Sequence, residues 1–155
     1  ILFWICFFCN NQYRMLDEKT QVGADKLQSV FEQTLLGIGK VIVVMDRFDE
    51  PVYITRLWCV FETYVAAKAR VPMTYALPES AEEQFDVVVS TGFAKARESM
   101  QNLDVAKAKA SVQQDQDHIK SIIQKDVGFD VVNKTVKQHL LKWLQDMFRQ
   151  YMDRE

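Results

Sequence analysis

The stretch YITRLWCVFE, residues 53–62, sets a carboxylate, an indole, a thiol and a guanidinium within two helical turns. On a helix beginning near Ile54, Thr55, Trp58, Cys59 and Glu62 share one face by their spacing of three, four and seven. Trp58, one turn before Glu62, would give that carboxylate an apolar wall and lift its pKa. A carboxylate so held and aimed at a cleft can move a proton or stabilise a developing cation. The plainer reading packs Trp58 into the core and leaves Glu62 solvated, or paired with Arg56 or Lys26. Composition and spacing alone favour the plainer reading.

Other chemistry-bearing residues lack the company their chemistry needs. Cys6 and Cys9 form a C-x-x-C inside the apolar run WICFFC rather than at an exposed turn, so they read as buried thiols. His118 and His139 stand singly, and no zinc set can be assembled from them. GIGK at 37–40 sits between a helix and a strand and lacks the Ser or Thr of a phosphate loop. The chain has no G-x-G-x-x-G and no G-x-S-x-G. No metal and no required cofactor are expected.

The whole chain limits the choices further. Its 155 residues suffice for one core, and 48% hydrophobic with 26% charged residues is the composition of a globular protein. A net charge of −2 argues against a nucleic-acid binder. No apolar run reaches the length of a membrane span, and ILFWICFFC lacks the basic flank and cleavage site of a signal peptide. Three cysteines in mostly apolar surroundings suggest a reducing, intracellular compartment, cytoplasm or organelle stroma.

Position 1 is not Met and already lies in an apolar run, so the chain is expected to begin inside a longer polypeptide. That run predicts a strand buried on both faces. Asp25 is a candidate N-cap for a helix with Leu27, Val30, Phe31, Leu35 and Ile38 inward, stopped at Gly37 and Gly39. KVIVVMD predicts a second strand, apolar on both faces. The helix from about Ile54 to Arg70 buries Leu57, Val60, Phe61, Tyr64 and Val65, and VPMTYALP predicts a third strand. Strands alternating with helices imply a parallel sheet with right-handed crossovers and helices on both faces.

From residue 81 the pattern turns helical. Ser80 and Glu83 suggest a capping box for a helix reaching about Ala110, interrupted near STG. Asp115 or Asp117 would cap a helix bearing Ile119, Ile122 and Ile123. Asp130 would cap a long final helix with Val132, Val136, Leu140, Trp143, Leu144, Met147, Phe148 and Tyr151 inward. The fold class expected is α/β: a flanked parallel sheet over 1–80, then a helical C-terminal extension over 81–155 that packs on the sheet or on a partner.

RLWCVFE resembles the W-C-x-x-E motif of Toll/interleukin-1 receptor (TIR) domains, where it opens the helix after the third strand. The order of FWICFF, LQSVFEQTLLGI and VIVVMD before it is also similar to that family, and R-x-W-C-x-x-E is closest to TIR-like proteins of algae and protists. The resemblance covers about residues 1–80 and implies a flavodoxin-like sheet whose first strand lies upstream. It further implies that Glu62 is the catalytic carboxylate of NAD⁺ cleavage, with Trp58, Cys59 and Arg56 supporting it and NAD⁺ as substrate rather than cofactor. Arg56 stands where plant forms usually carry Ser, and Thr63 where Leu is usual.

Three functions follow as expectations. The first is a TIR-like interaction module that self-associates or docks with a protein partner through its helical tail. The second is an NAD⁺ glycohydrolase acting through Glu62, and the third a structural subunit of a large complex.

Overall fold

The computed structural model describes residues 24–153 except 48, 81–84, 86 and 90–92, with backbone alone for 24–28 and 30. The strand expected near residues 1–9, with Cys6 and Cys9, lies outside the described residues. In chain order the elements are α1 (Ala24–Ile38), β1 (Val41–Val44), a 3-10 turn (Val52–Thr55), α2 (Leu57–Lys68) and β2 (Met73–Ala76). Then come α3 (Ala94–Gln101), α4 (Gln113–Asp126) and α5 (Phe129–Met152). The described chain is mostly helical, around a small parallel sheet in which β1 pairs with β2 from Val41 opposite Met73 to Val44 opposite Ala76.

α1 already includes Asp25, so that residue is not its cap. Leu35 is buried and Phe31 packs on the core, but Ile38 is exposed because the helix ends there. Gly39 follows with φ +72° and donates its N–H to Leu35 O at 2.8 Å, a closure that favours glycine. β1 buries alternate residues only. Val43 and Met45 are buried, while Ile42 is 48% and Val44 72% exposed, so the described residues do not enclose the strand on both sides.

The predicted core stripe of α2 is borne out at every position: Leu57, Val60, Phe61, Tyr64 and Val65 are all buried. The helix starts later than the periodicity suggests, because the 3-10 turn takes up Val52–Thr55. Thr55 therefore does not share the helical face of Glu62; its hydroxyl donates to Val52 O at 2.7 Å within the turn. Arg56 is the extended residue between turn and helix. A short parallel bridge fixes it there, Leu57 N–H donating to Lys109 O at 2.8 Å and Lys109 N–H to Thr55 O at 3.0 Å.

That bridge explains a second departure. The helix expected to reach Ala110 ends at Gln101, and residues 102–112 form an irregular segment that buries Leu103, Val105 and Ala108. Asn133 on α5 accepts the Val105 N–H at 2.8 Å, so part of the segment's backbone is satisfied from a neighbouring helix. Ser80 is already helical rather than a cap, and Glu83 and STG lie outside the described residues. Neither Asp115 nor Asp117 caps α4, whose N-cap is Val112; the N-cap of α5 is Gly128, with Asp130 inside its first turn. There a carboxylate meets the positive end of the helix dipole without closing a cap bond.

α5 packs along α2. Val132, Val136 and Leu140 are fully buried and Leu144 nearly so. Each such side chain removed from water contributes about 1.5–3 kcal/mol. Phe148, expected inward, is 40% exposed, beyond the stretch that α2 covers. The tail is thus part of the core rather than an appendage. No described helix is long and apolar enough to cross a membrane.

Candidate functional site

Glu62 lies one turn after Trp58 on α2, beside the buried stripe, and both are half-buried. Trp58 meets Phe61 edge-on, ring centres 6.4 Å apart at 73°, which holds the indole against the helix it belongs to. Among the described residues no hydrogen bond or ion pair reaches the Glu62 carboxyl. Burial disfavours its charged form and outweighs the opposing pull of Arg56, so the pKa is pushed up to about 7. Arg56 is exposed and acts through space, while the side chain of Lys26 lies outside the described residues.

Cys59 is half-buried and contributes its backbone. The Tyr53 hydroxyl lies 3.0 Å from Cys59 O and 2.6 Å from Thr63 Oγ1, and Thr63 Oγ1 donates to Cys59 O at 2.9 Å. Thr63 is only 1% exposed, so this triangle satisfies a polar side chain that would otherwise be orphaned in the core. Burial raises the Tyr53 pKa, and the nearby Cys59 and Glu62 add to the rise. Sequence reasoning noted Thr63 only as a departure from the family pattern and missed Tyr53. The signal was there: a hydroxyl inside an apolar stripe needs a partner.

The loop after β1, at the sheet edge where α/β folds place ligands, is closed on itself. Asp46 accepts the Val52 N–H at 2.9 Å. Asp49 accepts from Arg47 and from Lys95 on α3, and Lys95 also reaches Glu50 at 3.2 Å. The Arg47 guanidinium, chief among these partners, holds the Asp49 carboxyl below the usual carboxylate range. A small cavity of about 330 Å³ beside Glu50 and Ile54 does not include Glu62.

A larger groove of about 1020 Å³ lies elsewhere, between β2 and α5. Arg70, Tyr75, His139, Lys142, Trp143 and Met147 line it, and Glu62 does not. Tyr75 and Trp143 stack with centres 5.0 Å apart at 27°. Burial pushes the Tyr75 phenol up to about 12 and lowers His139, to which the Lys142 charge adds. Of the predicted site residues, the fold therefore gathers Trp58, Cys59 and Glu62 on α2 with Arg56 at its start. It joins them to neither cavity. Among the described residues no three His, Cys, Asp or Glu side chains converge as metal ligands. Comparison with known proteins finds no matching family model, no matching curated protein and no matching solved structure.

Proposed function

We propose that this chain is a protein interaction module, TIR-like in the resemblance of its α2 motif, that self-associates through the open face of its sheet. The observation supporting this reading is the exposure of Ile42 and Val44 on one face of β1. Strands of parallel sheets are ordinarily covered on both faces, and two apolar side chains left bare there form a surface that a second copy can bury. The sheet face rather than the tail helix is the self-association surface in this reading, because Val132, Val136, Leu140 and Leu144 of the tail are buried in the core.

Sedimentation velocity over a range of concentrations tests it. The wild-type chain is expected to associate as concentration rises, and Val44→Asp to remain monomeric with an unchanged circular dichroism spectrum. A wild type that stays monomeric throughout overturns the reading. If the same face instead seats a different subunit, the third expectation, a structural place in a larger complex, takes over.

The second reading, NAD⁺ cleavage at Glu62, rests on its raised carboxyl pKa beside the Trp58–Phe61 wall. A carboxylate can stabilise the oxocarbenium-like centre that forms as the nicotinamide–ribose bond breaks. Nicotinamide release from NAD⁺, lost in Glu62→Gln, is the expected result. No release from either chain removes the enzyme reading. Glu62 lines neither cavity, so the module is placed first.

A further inference from the structure

Among the described residues, the backbone of β2 is paired on one side only. Val41 N–H donates to Pro72 O at 3.0 Å and Met45 N–H to Ala76 O at 2.9 Å, so alternate residues of β2 turn their polar groups to β1. In a parallel ladder the N–H and C=O of the intervening Met73 and Tyr75 then point the other way. Among the described residues no strand meets them, since the sheet order is β1–β2. On that side lies the groove of about 1020 Å³, with α5 as its opposite wall.

We propose that this groove binds an extended segment of a partner polypeptide, which adds to β2 as a further strand and sets an acidic side chain on Arg70. This surface is distinct from the sheet face invoked above. Three observations identify the occupant. A row of outward N–H and C=O groups at strand spacing is complementary to another extended backbone, the commonest form of edge-strand recognition. The wall built by Trp143, stacked on Tyr75, and by Met147 accepts the apolar side chains that alternate along such a segment. At the end of the groove the positive charge of Arg70 is answered by no ion pair among the described residues, which favours an acidic residue in the occupant.

Arg70 supplies the charge preference. α2 closes with Arg70 N–H donating to Ala67 O at 3.1 Å and Val71 N–H to Ala66 O at 2.9 Å, the paired bonds of a Schellman motif. The residue between them must be left-handed, and Arg70 has φ +56°. Glycine fits that position without strain, whereas a side chain there is held at a cost. Here the side chain lines the groove and has no ion pair among the described residues. Asp146 on the opposite wall is already paired with Lys142 at 2.9 Å, so the unmatched charge is positive.

The test uses the full chain and fluorescent, acetylated heptapeptide pools with Val, Leu, Ile or Phe at alternate positions and Asp fixed at either end. Anisotropy is expected to show saturable binding by one pool, and amide NMR shifts to centre on Met73 and Tyr75. N-methylation of the backbone amides that face β2 should weaken binding at least about tenfold, because hydrogen bonds are lost while side chains stay. Arg70→Gly should weaken it by about tenfold or more, the size of a charge-assisted hydrogen bond, with Tm unchanged or raised. Binding indifferent to N-methylation overturns the strand, and an Arg70→Gly chain that binds equally well overturns the acidic contact. No binding of either pool up to about 1 mM overturns the proposal as a whole.

Discussion

The hydroxyl of Tyr53 lies 2.6 Å from Oγ1 of Thr63, and both oxygens sit within hydrogen-bonding distance of the carbonyl of Cys59. The 3-10 turn is thereby fastened to the second turn of α2, and the motif helix is held from the side on which Glu62 also lies. Replacing either hydroxyl leaves the other with fewer partners in a dry setting. Thr63→Val and Tyr53→Phe are each expected to cost about 1–2 kcal/mol in urea unfolding, and the double variant clearly less than their sum. Strict additivity in that cycle contradicts a shared bond.

Glu62 predicts a pH dependence with a definite sign. Its carboxyl titrates near 4.5 in the unfolded chain and at about 7 in the folded one, so the native state holds the extra proton between those values. Stability contributed by the protonated form is complete below about pH 4.5 and is lost as pH rises through about 7. Full linkage over that interval is about 3 kcal/mol. For a half-buried group about 1–2 kcal/mol is expected. Glu62→Gln should therefore be the more stable chain at pH 8 and equal to wild type at pH 4. A wild type favoured at pH 8 would reverse the sign.

Asp49 works in the opposite direction. Its carboxyl is held low by Arg47 and Lys95, so it stabilises the fold above the unfolded carboxylate value and loses that contribution as pH falls through its folded value. Asp49→Asn should lose up to about 1 kcal/mol at pH 7 and little at pH 2. Thermal melts at the two pH values check this, and a loss of equal size at both would remove the ion pairs as its cause.

Leu140 tests the union of tail and core. It is fully buried on α5, so Leu140→Ala is expected to cost about 2–5 kcal/mol in denaturant unfolding. Lys142→Ala, two residues on and on the solvent side, should change stability by less than about 0.5 kcal/mol. Similar costs for the two would contradict the packing of α5 on α2.

The periodic parts of this chain were legible because burial imposes them. The stripes of α2 and α5 and the run of β1 follow from apolar side chains recurring at helical or strand spacing, whatever their partners. The start of α2 was misplaced because Val52–Thr55 carries helix-compatible residues, and the tighter turn is favoured by tertiary bonds such as the distant bridge to Lys109 and the Tyr53–Thr63 contact. The caps were misread for a related reason: Asp115, Asp117 and Asp130 are good capping residues that stand two to five positions past the N-caps of their helices. Among site residues, Glu62 and Trp58 were visible as a local pair. The groove was not, since Arg70 and Tyr75 meet Trp143 and Met147 only through tertiary packing. Arg70 did leave a trace, as a non-glycine residue at a helix stop just before Val71 and Pro72.

The burial of α2 under α5 bears on how the chain comes off the ribosome. At about 5–20 residues per second, the stripe of Leu57, Val60 and Phe61 emerges roughly 4–17 s before Leu140 arrives to cover it. During that interval the motif helix carries bare apolar surface. Nascent chains stalled ahead of α5 are accordingly the ones expected to recruit holdase chaperones, and release should coincide with synthesis of the final helix.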